Sequence, residues 1–126
     1  MGIKFLKIGT VYFVLGIFLG IIMGATHNFE FSSVHAHLSL LGWVSMGLFG
    51  LIYHFYPIAG ETKLAKVHFW LHNIGTPLLT GGIFIVLSSG ESLTFLPIIG
   101  SNILGAGVIL FAINLFKHVK AENLKA

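Results

Sequence analysis

Seven histidines sit in a chain that contains no cysteine, no arginine and only four carboxylates. Without cysteine there is no disulfide, thiolate metal site, cysteine-held iron–sulfur cluster or CxxCH haem attachment. Metal or cofactor chemistry therefore falls chiefly to imidazole, which suits Zn, Cu, Ni and haem iron. Two pairs stand out by spacing. His35 and His37 are two apart, a rotation of about 200° on a helix. Their rings point to nearly opposite sides and cannot readily chelate one ion. They suit a helix that forms a wall between two sites, one ligand facing each; the plainer alternative is a pair of interfacial histidines near the lipid headgroups. His68 and His72 are four apart and share a face. They can share a metal, or one can ligate haem while the other supports it.

His72 falls roughly two turns inside its helix, followed by Asn73, Thr76 and Pro77. A polar group at that depth is costly and often functional. His54, flanked by Tyr53 and Tyr56, reads as interfacial. His27 and His118 fall at helix ends and read as solvated. Met23 and Met46 are soft potential axial ligands, but methionine in an apolar helix is more often packing.

The elements that must position these side chains are long apolar helices. The 126 residues are 56% hydrophobic and 9% charged, with a mean hydropathy of +0.94, whereas soluble domains carry about 25% charged residues. Four apolar stretches, about 4–26, 34–56, 65–88 and 93–117, approach the roughly 20 residues that span a bilayer. We read residues 1–126 as a single all-α, integral membrane four-helix domain. Polar turns separate the stretches, and Ser32 or Ser33 is placed to cap the second helix. The run after Lys4 and Lys7 is too long for a typical signal peptide and reads as a retained first helix. With the N-terminus inside, Lys4, Lys7, Lys63, Lys66, Lys117, Lys120 and Lys125 all fall on the inner side, and the outer loops hold Glu30 and Glu91. Both termini are then cytoplasmic.

Gly16, Gly20 and Gly24 form a small-residue ladder on the first helix, suited equally to packing within a protomer or to an oligomer seam. Gly42, Gly47 and Gly50 clear space on the second helix of the kind a macrocycle needs. The fourth helix carries Gly100, Gly105 and Gly107, with Ser101, Asn102 and Asn114 as its few polar groups. All four glutamates lie outside the spans, which argues against a carboxylate proton relay and against paired-carboxylate hydrolysis. No phosphate-binding glycine loop, Ser-His-Asp pattern or nucleic-acid module is present, and no nucleic-acid partner is expected. Haem b fits between apolar helices and needs only axial histidine.

The segment His35-Ala36-His37-Leu38-Ser39-Leu40-Leu41-Gly42-Trp43-Val44 resembles the tenth helix of the catalytic subunit of haem–copper oxidases and nitric oxide reductases, which carries an H-x-H-L-x-x-x-G-like motif in some branches. The chain is also similar to small oxidase subunit I-like membrane proteins that share this helix and a later segment like Val67–Asn73. The resemblance implies that His35 faces an active-site pocket and His37 a low-spin haem pocket. It implies haem b as cofactor, with copper a further possibility, and His35, His37, His72 and Gly42 as cofactor-binding residues. His68 and His72 are second-choice metal or haem ligands. The family fold is a ring of twelve helices in three arcs of four, so one chain looks like one arc. The expectation is a ring built as a homotrimer, with a dimer as alternative, in which each interface takes His35 from one protomer and His37 from the next.

The function implied is a cytochrome-like role in electron transport, or the binding or reduction of NO or O₂ by an oxidoreductase, with a respiratory electron donor as partner, in a bacterial or archaeal cytoplasmic membrane. The rivals are a haem-free Cu or Zn protein that uses His35, His37, His68 and His72 for transport or sensing, and a structural or assembly subunit of a respiratory complex.

Overall fold

A computed structural model describes residues 1–125, the side chain at position 91 excepted, and these residues are helices joined by short turns. Helices α1 (Gly2–Thr26), α2 (Ser32–Phe55), α3 (Lys63–Ser89) and α4 (Phe95–His118) are each long and apolar enough to cross a membrane. Only 17% to 33% of each most apolar window is buried. Large side chains such as Phe18, Trp70, Ile109 and Phe116 face outward. That surface calls for lipid as its solvent, because in water it would be a penalty on every helix.

Two tight helix pairs build the bundle. On α1, Gly2, Gly9 and Gly16 are buried at seven-residue intervals. A Cβ at Gly9 would come 3.1 Å from Met46 Cβ, and one at Gly16 would come 3.2 Å from Ser39 Oγ. The seam thus follows a heptad of glycines, a spacing that lets helix backbones approach closely. It takes in Gly16 and Gly20 of the expected ladder, but the space beside Gly24 is open. On α3 and α4 the same device recurs: Gly75 faces Leu104 and the Gly100 carbonyl, and Gly107 faces Leu71. The aromatic core lies between the pairs and includes Phe5, Phe49, Tyr53 and Phe69.

The second span departs from a regular α-helix. Leu38–Ser45 is π-helical, between α-helical Ser32–His37 and Met46–Phe55. A π segment closes its turns one residue later and is a frequent feature of functional sites. Rotations counted along an ideal helix from His37 therefore lose phase beyond Leu38.

The expected serine cap of α2 is replaced by a different arrangement. Phe31 occupies the cap position, and the Ser32 hydroxyl turns back to donate to the Phe29 carbonyl at 2.6 Å. Ser32 is thereby spent on the turn. Helix α3 does have a side-chain cap: Thr62 Oγ1 accepts from the Ala65 N–H at 3.0 Å and donates to Asn114 Oδ1 at 2.9 Å. Thr62→Val should therefore lower stability by about 1–2 kcal/mol, whereas Ser32→Val should leave α2's start nearly unchanged. Detergent-denaturation midpoints of the two variants check this contrast.

The chain ends meet at one end of the bundle. The Lys125 N–H donates to the Phe55 carbonyl at 2.8 Å. Met1, Lys4, His54, Pro57 and Lys125 line one cavity there. This lysine-bearing end also includes the turn between α2 and α3. The opposite end holds the α1–α2 turn, where Asn28 Oδ1 accepts from the Glu30 N–H.

Candidate haem-ligating histidines and a buried histidine pair

His35 and His37 stand on the first turns of α2, at the lysine-free end. The chain enters them from a turn fixed by the left-handed His27 (φ 53°) and the Asn28 and Ser32 bonds. Their rings diverge. His35 lies against α1, its Nδ1 2.9 Å from the Gly16 carbonyl. A Cβ at Gly20 would come 3.0 Å from His35 Cε1, so the glycine is what admits the ring. His37 turns back along its own helix, its Nδ1 2.7 Å from the Ser33 carbonyl. Its ring is half-buried.

These two contacts fix the protons. A carbonyl only accepts, so both rings carry hydrogen on Nδ1, and the neutral form of each would have its lone pair on Nε2. Imidazoles that bind a metal are typically oriented in this way, through the nitrogen that does not coordinate. This donor set is compatible with haem iron, which a neutral imidazole would bind through Nε2.

His68 and His72 are different. Both are fully buried, with ring centroids 5.8 Å apart. Phe5, Phe49 and Phe111 wall them in. Tyr53 Oη lies 3.0 Å from His68 Nδ1, and His72 Nε2 donates to the Leu41 carbonyl at 2.9 Å. Asn114, also fully buried, donates to the Ala59 carbonyl at 2.9 Å and to Tyr53 Oη at 3.5 Å. This polar network crosses α2, α3 and α4.

The structure keeps the two histidine pairs apart. Among the described residues no group of three His, Cys, Asp or Glu side chains converges on a metal position, so His35, His37, His68 and His72 do not form one four-ligand set within a chain. The space beside Gly42 is taken by Tyr12, whose Cγ would lie 2.6 Å from a Cβ there. Within one chain Gly42 thus serves helix approach, whereas the space beside Gly47 is open. His54 is exposed and lines the end cavity. His118 is half-buried, its Nδ1 3.2 Å from the Asn114 carbonyl. Sequence spacing alone missed Tyr53, Leu41 and Asn114. The signal available for Asn114 was an amide in an otherwise apolar stretch; nothing marked the Leu41 carbonyl.

Four spanning helices with histidines on the second and third define a multi-pass helical membrane protein. No family model matches the chain, and no solved structure matches it. Among curated proteins it is similar to the cbb3-type cytochrome c oxidase subunit CcoN1 of Stutzerimonas stutzeri, with 24% identity over 157 aligned positions that cover 96% of this chain and 33% of that protein. The chain spans about a third of that relative's length. The likeness supports a distant relationship to a haem–copper oxidase subunit.

Proposed function

We propose that this protein binds haem b between copies of itself and transfers electrons in the membrane, as a distant, small counterpart of haem–copper oxidase subunit I. The observation that carries the reading is the pair of carbonyl contacts, His35 Nδ1 to Gly16 and His37 Nδ1 to Ser33, which leave both Nε2 atoms as ligands. Because the two rings diverge, one chain offers one ligand to each of two sites. A bis-histidine site is then completed by His35 of one protomer and His37 of the next. A cyclic trimer closes such a head-to-tail contact on itself. If bound, haem would supply reversible one-electron exchange, and His35 and His37 are the residues that would hold it. The chain's own part is to hold each imidazole in its Nε2-ligating form and to exclude water with the apolar helix faces.

An optical spectrum of the protein purified in detergent tests this. The expected result is a Soret band with sharp α-band features on reduction. A colourless protein from haem-replete cells would overturn the reading. The trimer is checked by native mass measurement: a species of only one or two chains would exclude the cyclic arrangement.

A further inference from the structure

The cavity at the lysine-bearing end has a volume of about 420 Å³, and its lining includes Ile3 and Lys4 of α1, His54 of α2, Pro57 and Lys125. Lys125 is held there by its own backbone, whose N–H donates to the Phe55 carbonyl at 2.8 Å. The lining thus brings together two ammonium groups and an imidazole, with no carboxylate. Among the described residues the one ion pair joins Lys120 to Glu122 at 4.0 Å, so no described carboxylate neutralises Lys4 or Lys125. Like charges around one space repel, and an anion placed between them turns that repulsion into attraction. A lysine is a compact charge with three rotatable donors, which suits a phosphate group, and the imidazole adds a further donor.

A second hollow says what carries the phosphate. A groove, also of about 420 Å³, lies between α1 and α2 and is lined by Leu6, Trp43, Val44, Gly47, Leu48 and Leu51. None of these residues is charged, and they follow on from those of the cavity. Leu6 is three residues beyond Ile3 on α1, and Leu51 is three residues before His54 on α2, roughly one helical turn on each. Gly47, Leu51 and His54 share one face of the α-helical half of α2. The groove therefore continues the cavity away from the lysines, along the apolar length of the bundle. Gly47 gives it room, since its missing Cβ has nothing within 4 Å.

A cationic pocket that runs on into an apolar channel matches an amphiphile with an anionic head, and in a bilayer that is an anionic phospholipid. A free phosphate would leave the groove unexplained. A second copy in the same orientation would bring the same excess of lysine to this end.

We propose that Lys4, His54 and Lys125 bind the phosphate of an anionic phospholipid, one acyl chain of which lies in the groove beside Gly47. The site stands at the opposite end of the bundle from His35 and His37 and does not rest on the haem reading.

Trp43 makes the groove visible by fluorescence. In the Trp70→Phe chain it is the one tryptophan left. This full-length chain is placed in phosphatidylcholine bilayers that contain a fixed fraction of brominated phosphatidylglycerol or brominated phosphatidylcholine, since bromine quenches an indole that it touches. The expected result is that phosphatidylglycerol quenches Trp43 with an apparent affinity about tenfold that of phosphatidylcholine. Lys4→Gln combined with Lys125→Gln should bring the ratio close to one. Lys66→Gln, at the same end but outside the cavity lining, should keep it. Gly47→Phe should fill the groove and weaken quenching by phosphatidylglycerol. Equal quenching by the two lipids, a preference that survives the double lysine change, one that Lys66→Gln removes as fully, or unchanged quenching in Gly47→Phe would each overturn the proposal. So would no quenching by either lipid, which would show a second copy of the chain covering the groove.

Discussion

His37→Ala is expected to abolish the Soret band of the purified protein, and His35→Ala to do the same. Under the proposed function each chain would give one ligand to each of two shared sites, so either change would strip one ligand from every haem of a closed ring. His37 is held by Ser33 of its own helix, and His35 by Gly16 of α1. Neither ring is in the aromatic core, but His35 packs against α1 at Gly16 and Gly20, so a far-ultraviolet circular dichroism spectrum of each variant checks that the bundle persists. His118→Ala, whose ring sits at the end of α4 against the Asn114 carbonyl, is expected to keep the band. Absorption spectra of the three variants at equal protein concentration decide it. An unaltered spectrum in both His35→Ala and His37→Ala would show the ligand assignment to be wrong.

The largest structural effect is expected at Gly100. A Cβ there would overlap the Leu79 backbone nitrogen and come 2.9 Å from the Leu78 carbonyl carbon. Backbone cannot rotate aside as a side-chain tip can, so Gly100→Ala must separate α3 from α4. Overpacking of this kind destabilises by about 1–3 kcal/mol, and occasionally more. Gly105, on the same helix, has nothing within 4 Å of its missing Cβ. Gly105→Ala should be neutral or slightly stabilising through better helix propensity. Folded fraction against SDS, measured for both, checks the contrast; equal midpoints would refute the close-contact account.

The four spans were legible because length and hydropathy are local properties, and because the lysines and turn residues punctuate them. The divergence of His35 from His37 and the shared face of His68 and His72 come from helical rotation, which is also local. What each ring touches is not. Tyr53 reaches His68 from another helix, and His72 reaches a main-chain carbonyl that has no sequence signature at all. The glycine seam was half legible: the Gly16–Gly20–Gly24 ladder drew attention to the right helix, but the contacting register runs through Gly2 and Gly9. A period of seven, when counted over the whole helix, would have found it. Gly42 illustrates the limit, since a gap in a sequence does not say whether a cofactor or Tyr12 fills it.

The π-helical stretch Leu38–Ser45 works as an angular offset between two halves of one rod. Upstream, the rod aims His35 and His37 at the lysine-free end. Downstream, it aims Met46, Phe49 and Tyr53 into the core. Every residue added to or removed from a helix turns its downstream half by about 100°, so the offset sets the phase between the two histidine systems. A π turn takes one residue more than an α turn, so deleting one residue within Leu38–Ser45 should let the stretch close as α-helix and keep Tyr53 within reach of His68.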